Sequence, residues 1–402
     1  MNQTQEDKIK EALTRGVENI YPSRQALENK LKSNPKIRLY CGYDPTVSTL
    51  HIGHAITIRK LAHFQSLGHE VIFLIGDFTG MIGDPTDKTA TRKRMTRQEL
   101  LKNAKNYEKQ ASKILKFSGP NPAKILYNSQ WNDELSFVDL IELAANFTVQ
   151  QMLIRDMFQK RIAKKKPIYL HEFLYPLSQA YDSVAMGVDL EVGGNDQTFN
   201  MLCGRDLIKA VKGREKFVLS TKLLIDPAGQ KMGKTEGNMI TLDTRPAEMF
   251  GQIMAWSDEV MGLGLELCTD LPMEEVNQIN QQIKQGKMNP RDAKARLAKE
   301  IVAIHHSKKA ALEAEKEFNQ IFRQKEKPSQ IPVCKLTGQK YSILNLLVQT
   351  KLAPSKSEAK RLIEQGGVKI DNQVVKNWQK EITIKDGLII QVGKRKFVQI
   401  KI

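Results

Sequence analysis

The stretch "LYCGYDPTVSTLHIGH", Leu39 to His54, decides the fold. Its opening residues complete "KIRLYCG", a short run of strand character that gives way to an Asp-Pro-Thr turn. From His51 to about Leu67, apolar Ala55, Ile58, Leu61 and Ala62 recur at helical spacing, and Gly68 is a plausible stop. "EVIFLIGD" follows, a continuous apolar run ended by Gly-Asp, as a buried strand would be. Strand, helix and strand make a βαβ unit, which predicts a parallel sheet with helices on its faces. The turn into the helix at His51 offers unpaired backbone N–H groups and the positive end of the helix dipole, a place for phosphate. Gly53 would let a flat group such as a nucleoside approach the backbone. His51 and His54, three residues apart, share one side of the first turn and can donate to phosphate oxygens. Read alone, H-x-G-H could equally be two ordinary histidines. A zinc site would need a third ligand at suitable spacing, and none is apparent.

The composition bounds the rest of the chain. At 402 residues two or three domains are expected. The 41% apolar and 27% charged content is that of a soluble globular protein, and no apolar stretch is long enough to span a membrane. "MNQTQEDKIKEAL" lacks the apolar middle of a secretory signal. The four cysteines, Cys41, Cys203, Cys268 and Cys334, form no C-x-x-C pair, which argues against a structural zinc and a disulfide framework. A cytoplasmic location is the expectation. Sixty-two Lys and Arg against 45 Asp and Glu give +17, and an excess of this size points to a polyanionic partner, nucleic acid first.

Further along, Thr96 and Glu99 make a capping-box signature for a helix carrying Leu100, Ala104, Tyr107, Ala111 and Ile114. "KILYNS" reads as a strand, helical stretches run to about Met186, and "DLEVGG" reads as a strand entering a Gly turn. Residues 1–242 are therefore read as the α/β domain. Residues 243–325 read as helices joined by short turns, 326–338 as a polar, Pro-containing linker, and 339–402 as a small α+β unit. In that last unit Ser355 and Glu358 cap a basic helix stopped at Gly366-Gly367.

Two more patterns carry chemistry. "KMGKT", Lys231 to Thr235, sets Lys231, Lys234 and Thr235 in a Gly-flanked loop, which suits charge developing on a phosphate chain. Tyr175, Gln179 and Asp182 fall at i, i+4 and i+7 on one helix face, while Phe173, Leu174, Leu177 and Val184 indicate that the helix is substantially buried. Three hydrogen-bonding groups aligned there read as the polar lining of a pocket. "GDPTDKT" looks like the end of a P-loop, but it lacks the Gly before Lys88 and no helix follows at once, so it reads as a loop carrying Asp84. The basic residues after it, Lys88, Arg92, Lys93 and Arg94, could reach the acceptor end of an RNA or simply be a charged loop.

H-I-G-H at 51–54 with K-M-G-K-T far downstream resembles the paired signatures of class I aminoacyl-tRNA synthetases, with Gly233 in place of the usual middle Ser. "YCGYDPT", "GMIGDPT", "YPLSQAYD" and "VGGNDQ" narrow the resemblance to bacterial tyrosyl-tRNA synthetases, and it covers nearly the whole chain. The resemblance implies a Rossmann-like parallel-sheet domain, a helical anticodon-side domain and an S-four-type RNA-binding module. It implies that Tyr40 and Asp182 hold a substrate phenol, that Asp84, Tyr175 and Gln179 bind its ammonium group, and that Gln197 lies near the reacting carboxylate. Cys41, Gly42, Asp44, Gly53, Gly194 and Asp196 match contacts to ATP or the adenylate, joined by Lys234. Glu191 stands where some members have Gln, and Asn195 where Ser is common. Thr46 and His51 would hold the outgoing pyrophosphate from one side and Lys231, Lys234 and Thr235 from the other, with His54 a further catalytic candidate at the helix start. Lys351, Lys356, Lys360, Arg361 and Lys369 match the RNA-facing side of the tail module.

The implied reaction makes tyrosyl-adenylate from L-tyrosine and ATP, with Mg2+ arriving on ATP, and then charges the 3′ end of tRNA(Tyr). The resemblance further implies a homodimer, no tightly bound cofactor and no metal held by the protein. A tryptophanyl-type enzyme and a non-catalytic RNA-binding protein on the same fold are the competing readings. Tyr40 with Asp182 favours a phenol over an indole, and both signatures are intact, which favours catalysis.

Overall fold

Apolar runs between residues 17 and 221 pair into a six-stranded sheet in the computed structural model of the chain. The structure describes residues 3–33, 36–86, 94–226, 229, 239–323, 331–336, 338, 340–371, 373–393 and 396–401. The strands are β1 Val17–Tyr21, β2 Arg38–Tyr43, β3 Glu70–Ile75, β4 Lys124–Tyr127, β5 Leu190–Gly194 and β6 Phe217–Thr221. Their order is β1-β6-β5-β2-β3-β4, parallel throughout except for β1, which lies antiparallel on β6. This is the predicted α/β, Rossmann-like fold. The edge strand β1 is additional. Its sequence, Val-Glu-Asn-Ile-Tyr, buries none of its residues fully and so carries no core signal.

The helix begun at His51 runs Ile52–Ser66 and buries Ala55, Ile58, Leu61 and Phe64 in the same core as Leu39, Phe73, Leu190 and Leu219. Gly68, at φ 89°, turns the chain back into β3. The helix capped by Thr96 and Glu99 is shorter than its periodicity suggests. It ends at Ala104, and a second helix starts at Tyr107. With the break between them, Asn103 donates to Pro45 O at 2.9 Å and Tyr107 to Val47 O at 2.7 Å, so both brace the Asp-Pro-Thr turn.

The order of the strands reverses between β2 and β5. In open α/β sheets such a switch point, outside the carboxyl ends of the strands, is where ligands bind. Here the switch is also open. β2 and β5 pair only at Leu39 with Leu190 and Tyr40 with Glu191. β2 stays paired with β3 to Tyr43, and β5 with β6 to Gly194. Beyond Tyr40 and Glu191 the two central strands therefore part.

By compactness the chain divides into two units. The first comprises residues 1–245 and 252–308, so the helices Asp258–Cys268, Met273–Lys284 and Pro290–His305 belong with the large sheet. A group of buried cations ties them in. Arg15 donates to Glu266 O at 2.9 Å, Leu271 O at 2.7 Å and Thr269 O at 2.6 Å, and Arg59 donates to Thr269 O and Asp270. Carbonyls at the end of the Asp258–Cys268 helix, which have no partner within it, are thereby satisfied. Lys60 donates to Ala12 O and Arg15 O, and burial lowers its pKa to about 7.

The second unit comprises 246–251 and 309–402. Its strands are β7 Val333–Lys335, β8 Lys340–Ser342, β9 Val368–Ile370, β10 Gln373–Val374, β11 Glu381–Thr383, β12 Ile389–Val392 and β13 Lys396–Lys401. One sheet has the order β10-β9-β12-β13-β7, and β8 pairs with β11. The helices Ile343–Gln349 and Lys356–Glu364 complete a core of Leu346, Ala359, Ile363, Val368, Ile390 and Ile400. Ser355 Oγ accepts from Glu358 N, the cap read from sequence, and Gly366 at φ 70° ends that helix. Among the described residues no helix is long and apolar enough to cross a membrane.

Candidate active site

The parting of β2 and β5 opens a cavity of about 230 Å³. β2 and its turn bring Tyr40, Cys41, Gly42, Asp44 and Thr46 to it, and the helix start brings His51, Gly53 and His54. Asp84 comes from the loop after β3, and Tyr175, Gln179 and Asp182 from the His171–Met186 helix. Gly194, Asp196 and Gln197 come from the end of β5. All the catalytic, tyrosine-side and ATP-side candidates that fall among the described residues thus line one cavity. Lys231, Lys234 and Thr235 lie outside the described residues, as do Lys88, Arg92 and Lys93.

At the helix entrance the His51 backbone N–H donates to His54 Nδ1 at 3.1 Å, and the two rings stack with centroids 3.7 Å apart. That hydrogen bond satisfies one donor that a helix N-terminus leaves over. Gly53 has a second reason to be glycine: a Cβ there would lie 3.0 Å from the His51 ring. The chain returning at residues 240–242 is stitched to this point. Ile52 N donates to Ile240 O at 2.9 Å, and Leu242 N to Leu50 O at 2.8 Å. Thr221 to Leu224, on the other flank of the Lys-Met-Gly-Lys-Thr segment, also line the cavity.

Two carboxylates, Asp44 and Asp84, line the cavity near Tyr175. Asp44 accepts from Tyr175 OH at 2.9 Å and from Thr79 Oγ1 at 2.7 Å, so its side chain faces the His171–Met186 helix. Asp84 accepts from Gln197 Nε2 at 2.7 Å and from Thr86 Oγ1 at 2.6 Å, and Arg155 stands 3.8 Å away. Burial, with Asp44 and Asp84 close by, raises the Tyr175 hydroxyl well above its usual pKa and keeps it a neutral donor.

Asp182 is buried and accepts from Trp131 Nε1 at 2.7 Å, Asn132 Nδ2 at 3.0 Å and Asn128 Nδ2 at 3.2 Å. Burial pushes its carboxyl up to about 8, while these donors pull the other way. Tyr40, fully buried, sits 3.0 Å from Ser183 Oγ, which donates to Glu191 at 3.3 Å. Glu191 also accepts from Gln179 Nε2 at 2.9 Å and pairs with buried Lys216.

Several of these supporting residues are not evident from sequence. Asn128, Trp131 and Asn132 fall at helical spacing in "NSQWN", a signal that could have found them. Lys216 and Arg155 carry none, because a lysine before a strand and an arginine in a basic helical stretch read as solvated.

A cavity at the switch point of a parallel sheet, lined by the H-I-G-H turn and by the carboxylates of Asp44 and Asp84, is the arrangement of a class I synthetase. A family model described as tRNA synthetases class I (W and Y) matches residues 32–323. The chain belongs to that class. A second model, the tyrosine–tRNA ligase SYY-like C-terminal domain, matches residues 317–400. A tyrosine–tRNA ligase of Moorella thermoacetica is 44% identical over 96% of this chain and 94% of its own length. Tyrosine–tRNA ligase 2 of Vibrio vulnificus is 45% identical over 97% of both. The chain is an enzyme of the tyrosine–tRNA ligase family. The fold agrees with that of a C-terminally truncated mitochondrial tyrosyl-tRNA synthetase from Aspergillus nidulans, with a TM-score of 0.67 at 23% identity over 80% of this chain and 95% of that one. These matches support neither the tryptophanyl-type nor the non-catalytic reading.

Proposed function

We propose that this enzyme activates L-tyrosine with Mg–ATP to tyrosyl-adenylate and pyrophosphate, then transfers tyrosine to the 3′ end of tRNA(Tyr). The observation that carries the reading is the meeting of the phenol-side, ammonium-side and phosphate-side candidates in one cavity at the switch point. Tyr40 and Asp182 receive the phenol, and Asp84, Tyr175 and Gln179 the ammonium group, a charge match for a pocket with two carboxylates. Gln197 lies near the reacting carboxylate. Cys41, Gly42, Asp44, Gly53, Gly194 and Asp196 serve the nucleotide.

The tyrosine carboxylate attacks the α-phosphorus in line with the departing pyrophosphate, and no protein atom becomes covalently attached. The protein supplies position and charge. Thr46 and His51 meet the pyrophosphate from the helix start, with His54 beside them, and Lys231, Lys234 and Thr235 from the other side. The anchoring of residues 221–224 and 240–242 at this cavity supports that assignment. These contacts strengthen as charge develops, so Lys234→Ala lowers the adenylation rate far more than tyrosine affinity. Equal losses in both would argue against a transition-state role.

For RNA, exposed Lys351 and Lys356 with Lys360, Arg361 and Lys369 supply phosphate contacts on the second unit. Lys360 lies over the Trp378 ring at 4.3 Å, and Arg361 pairs with Glu358 at 2.7 Å, so both are held in place. The enzyme works as a homodimer in the cytoplasm. Support for the dimer comes from the helix Phe137–Ala144, which buries none of its residues and exposes Phe137, Val138 and Ile141.

ATP–pyrophosphate exchange with each amino acid supplied singly tests the reading. Exchange with tyrosine alone is expected. Exchange with tryptophan would move the specificity to the indole, and no exchange with any amino acid in folded protein would overturn the catalytic assignment.

A further inference from the structure

One element of the amino-acid end of the cavity has no assigned role. Lys216, just before β6, and Glu191, on β5, form an ion pair with both side chains buried. Lys216 also donates to Met201 O at 3.2 Å. The space they occupy is kept by Gly204. A Cβ there would lie 2.6 Å from Lys216 Nζ, 2.8 Å from Ser183 Oγ and 3.3 Å from Glu191 Oε2.

Taking two charges out of water is costly, and a well-packed apolar pair of similar volume is often no less stable. The pair therefore calls for a reason other than stability. Its geometry offers one. Glu191 Oε1 accepts from Gln179 Nε2 at 2.9 Å. An ionised carboxylate can only accept, so the amide must turn its NH2 toward Glu191, and its oxygen is the acceptor left over. A neutral carboxyl or a second amide could instead donate, and the Gln179 amide could then turn over and present NH2 to the cavity. Lys216 donates to Glu191 Oε2 and leaves Oε1 to accept from Gln179. Strand register reinforces this, because Glu191 is the direct neighbour of Tyr40 across β2 and β5, at the last pair before the strands part.

We infer that Lys216 is a positioning residue for amino-acid recognition: by pairing with Glu191 and holding it against Gln179, it fixes the Gln179 amide with its oxygen free for the substrate ammonium. The inference rests on the assignment of Gln179 to that ammonium. It predicts that the pair sets the preference for substrates bearing a cationic amine, with little influence on ATP.

The charge-neutral double variant Lys216→Met/Glu191→Gln leaves no lone buried ion, which favours folding where either single variant would leave one. Steady-state exchange would give KM for tyrosine and for ATP, and inhibition would be measured with tyramine and with 3-(4-hydroxyphenyl)propionate. Tyrosine KM should rise roughly tenfold or more, as loss of one hydrogen bond to a charged group implies. ATP KM should stay within about twofold, well below the tenfold per 1.4 kcal/mol that a lost contact would give. The preference for tyramine over the propionate should fall by a factor similar to the rise in tyrosine KM. An unchanged preference, or equal rises in both KM values, would overturn the inference. Gln179→Ala in the same assays separates the two layers. If it erodes the preference while the double variant does not, only the role of Lys216 fails. If it leaves tyrosine KM unchanged, the assignment of Gln179 fails and the inference with it.

Discussion

Asp182 sits in a conflict that pH can resolve. Burial holds its carboxyl up to about 8, while Trp131, Asn128 and Asn132 all offer it hydrogens. Its folded pKa lies above the ordinary carboxylate value, so the stability that its protonated form provides is complete below about 4 and is lost as pH rises toward 8. Function runs the opposite way, because an ionised carboxylate is the stronger acceptor for a phenol. Tyrosine KM should therefore fall between pH 6.5 and 8.5, and Asp182→Asn should show a raised, flat profile in exchange assays. Gly76 gives a second residue-scale test. A Cβ there would overlap Asp44 Oδ1 and crowd Thr79 Oγ1. Gly76→Ala should push Asp44 off Tyr175 and cost about 1–3 kcal/mol in denaturant unfolding, as overpacking does. The polar stripe Tyr175, Gln179 and Asp182 was legible as a pocket lining because helical spacing aligns it. Glu191 was legible only as a departure from the family pattern. Its lysine partner is 25 residues away in sequence, and only the pairing of β5 with β6 brings them together.

Among the elements, the helix Ile52–Ser66 serves two masters. Its first turn faces the cavity, while Arg59 and Lys60 further along are buried against other parts of the first unit. Arg59 and Arg15 share Thr269 O beyond the end of the Asp258–Cys268 helix, and Arg15 alone reaches Leu271 O. Arg15→Met would leave buried carbonyls without a donor and should cost about 1–3 kcal/mol, measured by thermal or denaturant unfolding. Sequence periodicity exposed the strands β2, β3, β4 and β5 and the central helix, because each has a continuous apolar run or an apolar stripe. It missed β1, whose alternation is weak. It also ran two helices together at Lys105–Asn106, because the apolar spacing of Leu100, Ala104, Tyr107 and Ala111 carries across the break. Long-range cations such as Arg15 leave no periodic trace at all.

For the molecule as a whole, charge and exposed apolar surface make separate predictions. With a net charge of +17, RNA affinity should fall steeply and linearly on a log–log salt titration, and Lys351→Ala with Lys356→Ala should lower the slope by roughly one phosphate contact each. Phe137 is 77% exposed, and with Val138 and Ile141 it makes an apolar patch on one short helix. Ile141→Glu should convert the proposed dimer to monomer in sedimentation analysis while leaving far-UV circular dichroism unchanged. The overall architecture was legible because the βαβ pattern around His51 admits few topologies; the exposed apolar face of the Phe137–Ala144 helix was not, since apolar residues on a helix read as core. The parted strands have one more consequence. Beyond Tyr40 and Glu191, β2 and β5 are each a half-finished ladder facing the other across a gap. A ligand seated there takes the place of the missing rungs, so it mends the middle of the sheet as well as filling a hole. Hydrogen–deuterium exchange should report this as slowed exchange in Cys41–Tyr43 and Val192–Gly194 together when tyrosine and ATP bind, two segments far apart in the chain closing like the sides of a zip.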